Sequence, residues 1–390
     1  MPNTAASELF WLKLRRRKTA AVSPRAFMKS RTLFYFSIAA GWSVIRSAIA
    51  ADPAVLRSEF IFDPNPVPSC HATTIVEARD GALVAAWFAG TAEGKPDVGI
   101  WSARFSGGRW SAPVELADGV QPDGHREPCW NPVLFQPKEG GLLLFYKVGP
   151  SPSRWWGMLR TSGDSGQSWE ESVRLPGKIQ GPIKNKPVQL ADGTLLSGSS
   201  LEGLAPPPTW QIHFERSADL GKTWEFIKVP QSEKSPAAIQ PSILFLGGEK
   251  LLALGRTRAQ QVFATRSEDS GKTWSEPSLL KLPNPNSGTD AVTLKDGRHL
   301  LVYNHTGKGR SPLNLAVSRD GMNWEAALVL EGEDRAEFSY PAIIQTSDGL
   351  VHITYTWKRK LVKHVVVDPA KLSARAMPDG QWPADVVFVP

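Results

Sequence analysis

Ser162-Gly163-Asp164-Ser165-Gly166-Gln167-Ser168-Trp169 recurs as Ser217-Ala218-Asp219-Leu220-Gly221-Lys222-Thr223-Trp224 and as Ser267-Glu268-Asp269-Ser270-Gly271-Lys272-Thr273-Trp274. Ser318-Arg319-Asp320-Gly321-Met322-Asn323-Trp324 is a copy one residue short, and Ser106-Gly107-Gly108-Arg109-Trp110 is a degenerate one. Each element has a physical task. The Asp carboxylate accepts bonds from the N–H groups of its own turn. The Gly supplies a positive φ. The Trp opens the next strand and packs between neighbouring units.

A second series runs in phase with the first. It consists of a two-residue turn followed by an apolar strand, at Asp80-Gly81, Gly140-Gly141, Asp192-Gly193, Gly247-Gly248, Asp296-Gly297 and Asp348-Gly349. The spacing of about 50–60 residues is that of a propeller blade. Six copies predict an all-β, six-bladed β-propeller of four-stranded antiparallel blades. The sixth repeat has no Asp turn of the first kind. Lys363 to Asp368 supplies its late strand, and Ser58 to Asp63 is expected to add the outer strand and close the ring.

Residues 1–50 stand apart. Met28-Lys29-Ser30-Arg31 is a basic start, Thr32 to Ala40 is apolar, and Ala48-Ile49-Ala50 is a small-residue cleavage site. That pattern reads as a signal peptide beginning at Met28, with residues 1–27 an upstream extension. The propeller is then a single domain over 51–390, secreted or periplasmic, with no stable membrane association once the leader is removed. Nine of the 45 Lys/Arg and one of the 38 acids lie in residues 1–50, which leaves the remainder near −1. The basic pI thus belongs to the leader, and nucleic acid is not an expected partner. The two cysteines, Cys70 and Cys129, are read either as a disulfide or as two buried thiols.

Topology sorts the polar residues. In a four-stranded meander the loops between strands 1–2 and 3–4 share one face, and both turn series lie there. The opposite face, formed by loops 2–3 and the inter-blade loops, holds any site. It gathers His71, Arg126, Glu127, Trp130-Asn131, Lys184, Lys186, Gln240, Asp290 and Tyr340 from the starts of inner strands. From the loops it gathers Glu93, Asp97, Glu202, Arg256, Arg258, Arg310, Trp357 and Arg359. No metal-ligand spacing, Gly-rich phosphate loop or G-x-S-x-G elbow is present, so no cofactor or metal is expected.

The Asp turns are Asp boxes and resemble the repeat of bacterial sialidases (neuraminidases) over roughly residues 68–366. The likeness is closer to the divergent sialidase-like, BNR-repeat branch. Asn131-Pro132, Gln240-Pro241-Ser242 up to Arg256, and Ser339-Tyr340-Pro341 resemble the segments that start the second, fourth and sixth blades there. The resemblance implies a Tyr nucleophile at Tyr340 assisted by a carboxylate, with arginines clamping a substrate carboxylate. The chain departs from the pattern in three places. Cys70-His71 stands where the family has Arg-Ile-Pro, Gln240 replaces a glutamate, and Glu93 or Asp97 stands in for the acid/base aspartate.

Three readings follow, each with a carbohydrate partner. In the first, a glycosidase acts on an anionic sugar. Tyr340 is its nucleophile, Glu337 its base and Glu93 or Asp97 its acid. Arg126, Glu127, Asn131, Lys184, Lys186, Gln240, Arg256, Arg258, Asp290, Arg310 and Trp357 contact substrate. The second is a polysaccharide lyase on a uronate, in which His71 or His125 works with Tyr340. In the third, a non-catalytic propeller binds glycans through Trp130, Trp155, Trp156 and Trp357.

Overall fold

The computed structural model describes residues 52–388. The leader lies outside the described residues. Six antiparallel sheets follow one another along the chain. Their inner strands are Ser69–Glu77, Cys129–Phe135, Val188–Gln189, Ala238–Gly247, Asp290–Thr293 and Phe338–Gln345. The first sheet carries two short outer segments, Arg109–Trp110 and Val114–Ala117, on its third strand. The fifth gains Arg375–Ala376 as an extra edge. The only helical turn among the described residues is Pro378–Gly380.

The sixth sheet closes the ring as the sequence predicts, with a small shift in boundary. Its outer strand is Val55–Phe60, paired with Leu361–Val367 from Val55 opposite Val367 to Phe60 opposite Lys363. Glu59 fixes this strand from its side chain. Its Oε1 accepts bonds from Trp110 Nε1 and His364 Nδ1, both at 3.2 Å.

The Asp boxes act as the residue types require. Asp269 Oδ1 accepts from Ser267 Oγ and the Thr273 N–H, each at 2.8 Å, while Oδ2 takes Thr273 Oγ1 at 2.6 Å. Gly271 sits at φ 77, and a Cβ there would lie 2.5 Å from Leu196 Cδ2, so the position excludes side chains on two grounds. Trp274 donates to Gly271 O at 3.2 Å and stacks on Phe214 of the preceding blade, centroids 3.7 Å apart and planes at 8°. The tryptophans are thus spacers between blades.

Four inner strands share one irregularity. Pairing slips between His71 and Thr74, Trp130 and Val133, Ile239 and Ser242, and Ser339 and Ala342. At each slip one residue has positive φ: Ala72 (57°), Asn131 (39°), Gln240 (60°) and Tyr340 (51°). A bulge inserts an extra residue and re-aims its side chain. For a tyrosine such a backbone costs about 1–3 kcal/mol, which the packed ring must offset. Three of the four, Asn131, Gln240 and Tyr340, precede proline.

The cysteines are free and buried. Cys70 lies in the apolar cluster around Trp87, Cys129 in that around Leu134 and Leu144. Burial pushes the Cys70 thiol up to about 12, and it raises Cys129 as well.

Candidate active site

The bulge at Tyr340 directs its ring into a cluster drawn from four blades. His71, from the first, lies with its ring centroid 4.2 Å from that of Tyr340. Arg256, from the fourth, holds its Cζ 5.4 Å from the Tyr340 centroid, and Arg310, from the fifth, 5.8 Å. Lys184, from the third, brings Nζ to 5.8 Å. Gly288 flanks the ring so closely that a Cβ there would sit 3.3 Å from Tyr340 Cδ2. Residues separated by up to about two thirds of the sequence therefore meet at one end of the ring. The tyrosine hydroxyl makes no hydrogen bond among the described residues.

Two carboxylates organise the cations. Glu337 Oε1 accepts from Arg359 Nε at 2.6 Å, Arg310 at 2.8 Å and Ser339 Oγ at 3.0 Å. Partial burial pushes Glu337 up, but the two guanidiniums outweigh it and hold the carboxyl below its usual range. Arg359 also binds Glu93 of the first blade, so a Glu93–Arg359–Glu337–Arg310 chain crosses from blade one to blade five. Burial lowers Arg359, and the two carboxylates more than reverse that, raising it.

His71 is in an unusual position. It is 1% exposed, and neither ring nitrogen has a hydrogen-bond partner. Burial first, then Arg359, Arg310, Arg256 and Lys184, push its pKa well below the usual value. The imidazole is therefore neutral, with one nitrogen free to accept a hydrogen bond and the other free to donate one. Lys184 is also buried. It donates to Thr289 O at 2.9 Å and to Pro341 O, and burial pushes it down to about 7.

Several residues picked from the sequence brace the axis. Lys186 pairs with Asp290 at 2.9 Å, and Asp290 in turn accepts the Ile343 N–H and Ser242 Oγ, tying blades three to six together. Asn131 donates to Ile183 O, and Gln240 receives Asn185 on its backbone oxygen, leaving its buried Oε1 unpartnered. Asp97 folds back on Thr91, whose N–H reaches its carboxylate at 2.7 Å, which with the Thr91 hydroxyl lowers its pKa.

Others lie apart from Tyr340. Arg126 binds Glu115 at 3.0 Å, against the outermost strand of blade one, and Glu127 faces His125 at 3.5 Å. His125 is paired with Asp123 on the surface. Trp357 packs edge-on to Phe60 at the ring closure, and Trp130 and Trp155 pack on each other with 6% and 9% exposure. Trp156 is covered by Arg174.

Two members of the site had no assigned role in the sequence. Arg359 stood among the loop residues of the functional face without one. Trp210, the first residue of the strand Trp210–Ser217, belongs to neither turn series. The Arg256 and Arg258 guanidiniums lie 5.3 and 4.3 Å from its ring. Its only sequence signal was position: it follows a proline-rich loop on the functional face.

A family model described as a BNR repeat-like domain matches residues 81–353. The chain belongs to that family and is a divergent member of the sialidase-like superfamily. A sialidase of Bacteroides fragilis (strain YCH46) is 23% identical over 241 residues, 55% of this chain and 41% of that protein. The match thus spans less than half of that relative's length. Among solved structures, the NanB sialidase of Streptococcus pneumoniae superimposes with a TM-score of 0.66 at 13% identity, covering 81% of this chain and 71% of that one. The intramolecular trans-sialidase of Ruminococcus gnavus gives 0.64 at 13% identity, covering 82% and 99%. A Dyadobacter fermentans DSM 18053 protein of unknown function gives 0.66 at 17% identity, covering 81% and 99%. At such identities the likeness is one of fold.

Proposed function

We propose that the protein is an exported glycoside hydrolase that cleaves a glycan at a carboxylated sugar. The observation that carries this reading is the Tyr340 ring held among Arg256, Arg310 and Lys184 beside a neutral His71. Arg256 and Arg310, with Arg359 behind them, present guanidinium forks suited to a carboxylate. A neutral phenol is an apt nucleophile next to that negative charge, because attack brings no anion up to it. Tyr340 bonds to the anomeric carbon as the bond to the departing oxygen breaks, and that oxygen takes a proton from solvent by way of Glu93, whose ion pair with Arg359 must open for it to carry one. Water then releases the sugar. Glu93 is favoured over Asp97 because Arg359 ties it to the cluster, whereas Asp97 is turned into its own loop. Glu337 has its Oε1 engaged by Arg310, Arg359 and Ser339. It therefore serves mainly to place the arginines, and His71, in ring contact with Tyr340, takes the phenolic proton once a bound carboxylate offsets the surrounding cations.

The test is Tyr340→Phe, assayed on aryl glycosides of sialic acid and of uronic acids. A fall in kcat of at least about 10³-fold is expected. Full turnover by the variant on a substrate the wild type cleaves would remove the mechanism.

His71 also favours a second reading. A neutral imidazole beside a tyrosine, amid cations that neutralise a uronate, is suited to proton abstraction next to a carboxylate, which is lyase chemistry. An unsaturated, ultraviolet-absorbing product from oligouronates would establish that reading in place of hydrolysis.

A further inference from the structure

Four arginines lie on the functional face around Tyr340 and Trp210: Arg256, Arg258, Arg310 and Arg359. Arg310 and Arg359 are neutralised, by Glu337 and by Glu337 with Glu93. Arg256 and Arg258 form no ion pair among the described residues, and both contact the same indole, that of Trp210.

Arg256 is 8% exposed, donates to Asn286 O at 3.2 Å, and keeps its Nε buried with no partner. Its guanidinium also contacts the Tyr340 ring, so it joins the reaction centre to Trp210. Arg258 is half-buried in the turn after the strand Lys250–Thr257, where its N–H is fixed to Ala237 O at 3.1 Å. Its side chain makes no hydrogen bond among the described residues. Trp210 is itself pinned, with Nε1 donating to Glu202 Oε2 at 2.9 Å across the end of its hairpin.

A guanidinium laid on an aromatic face keeps its plane fixed and its N–H edge free for a two-point bond to an oxyanion. Unpaired positive charge in a wall already short of water waits for an anion from solution. Outside residues 1–50 the chain is near −1, so two arginines without an ion pair on one indole are a local concentration of charge, not a reflection of the average.

We propose that Arg258, stacked on Trp210 beside Arg256, is a second anion subsite, and that the preferred substrate is a glycan with acidic groups on two neighbouring sugars. This rests on the reading that the Tyr340 pocket takes one acidic sugar. Arg256 and its neighbours hold the carboxylate of the sugar at Tyr340, Arg258 holds the acidic group of the next, and Trp210 lies under the link between them. The selectivity this confers is for acidic oligomers over an acidic sugar attached to a neutral one.

The experiment is titration calorimetry on the full chain in a Tyr340→Phe background, which stops turnover of the cleavable probes, with position 258 either wild type or Arg258→Gln. The probes are sialic acid, sialyllactose, α2,8-linked disialic acid, galacturonic acid and digalacturonic acid. The protein with Arg258 in place is expected to bind one of the two acidic disaccharides at least about 10-fold more tightly than its monosaccharide. Arg258→Gln is expected to lose about 10-fold or more on that disaccharide and less than about 2-fold on the monosaccharide and sialyllactose. Trp210→Phe, which keeps an aromatic face, should retain most of the preference. An unchanged disaccharide-to-monosaccharide ratio in Arg258→Gln, or an equal loss on every probe, overturns the subsite and leaves the Tyr340 pocket standing. Protein with Arg258 in place that binds none of the probes overturns the pocket reading and the subsite together.

Discussion

Lys184 shows how far one buried residue is shaped by its surroundings. Its ammonium sits among backbone oxygens of two other blades, and burial pushes its pKa down to about 7, opposed by Asp290 and reinforced by Lys186 and Arg256. It is charged below that value and neutral above it. An anion in the pocket favours the charged form, so affinity for an acidic ligand is expected to fall as pH rises through about 7. Measured as KM or Kd between about pH 6 and pH 8, the fall should be several-fold, and Lys184→Met should flatten it. His71 contributes nothing to that limb, since burial and then the neighbouring cations keep it neutral throughout the interval. Why Tyr340, His71 and Arg256 belong together was legible from the sequence, because blade topology assigns each to the same end of the ring. Which carboxylate serves which arginine was not. Glu337 and Tyr340 are three residues apart, yet the structure turns Glu337 toward Arg310 and Arg359, and that depends on rotamers that spacing does not encode.

At the scale of the element, the Asp box and the bulge divide the work. The box is local: its hydrogen bonds fall within five residues, so its motif could be read directly. Its tryptophan is the part with long reach. Trp274 is 4% exposed and lies flat on Phe214, so Trp274→Ala removes a stacked pair and leaves a cavity between blades three and four. A loss of about 3–5 kcal/mol in chemical denaturation is expected, among the largest for any single change in a turn of this chain. The bulges on the opposite face were not legible as bulges, although their Xaa-Pro pairs were visible. Pairing register depends on the partner strand, and a single sequence shows only one side of the ladder. The role of Trp210 has no local sequence signal for a related reason. Its importance comes from Arg256 and Arg258 on another blade, and nothing beside it in the sequence announces them.

For the molecule as a whole, ring closure is the decisive interaction, and it was expected from the missing outer strand of the sixth repeat. The observed strand begins three residues earlier than the sequence suggested, with Val55 opposite Val367 and Glu59 opposite His364. Glu59→Ala strips an acceptor from both of those donors at the seam. The change should cost about 1–3 kcal/mol and lower the unfolding midpoint by several degrees, with Glu59→Gln recovering part of the loss. If the midpoint does not move, the Glu59 carboxylate does not hold the seam.

That seam also sets an order of events in biogenesis. Glu59 and His364 are 305 positions apart, so the first described strand to leave the ribosome has to wait for almost the last before its edge is covered. During that interval five blades can assemble by neighbour-to-neighbour contact, while Val55–Phe60 remains an unpaired ribbon with its N–H and C=O groups open to other chains. Any factor that shelters the emerging polypeptide will matter most for this short stretch, and crowding several nascent copies together should favour strand exchange there before it does so anywhere else in the fold.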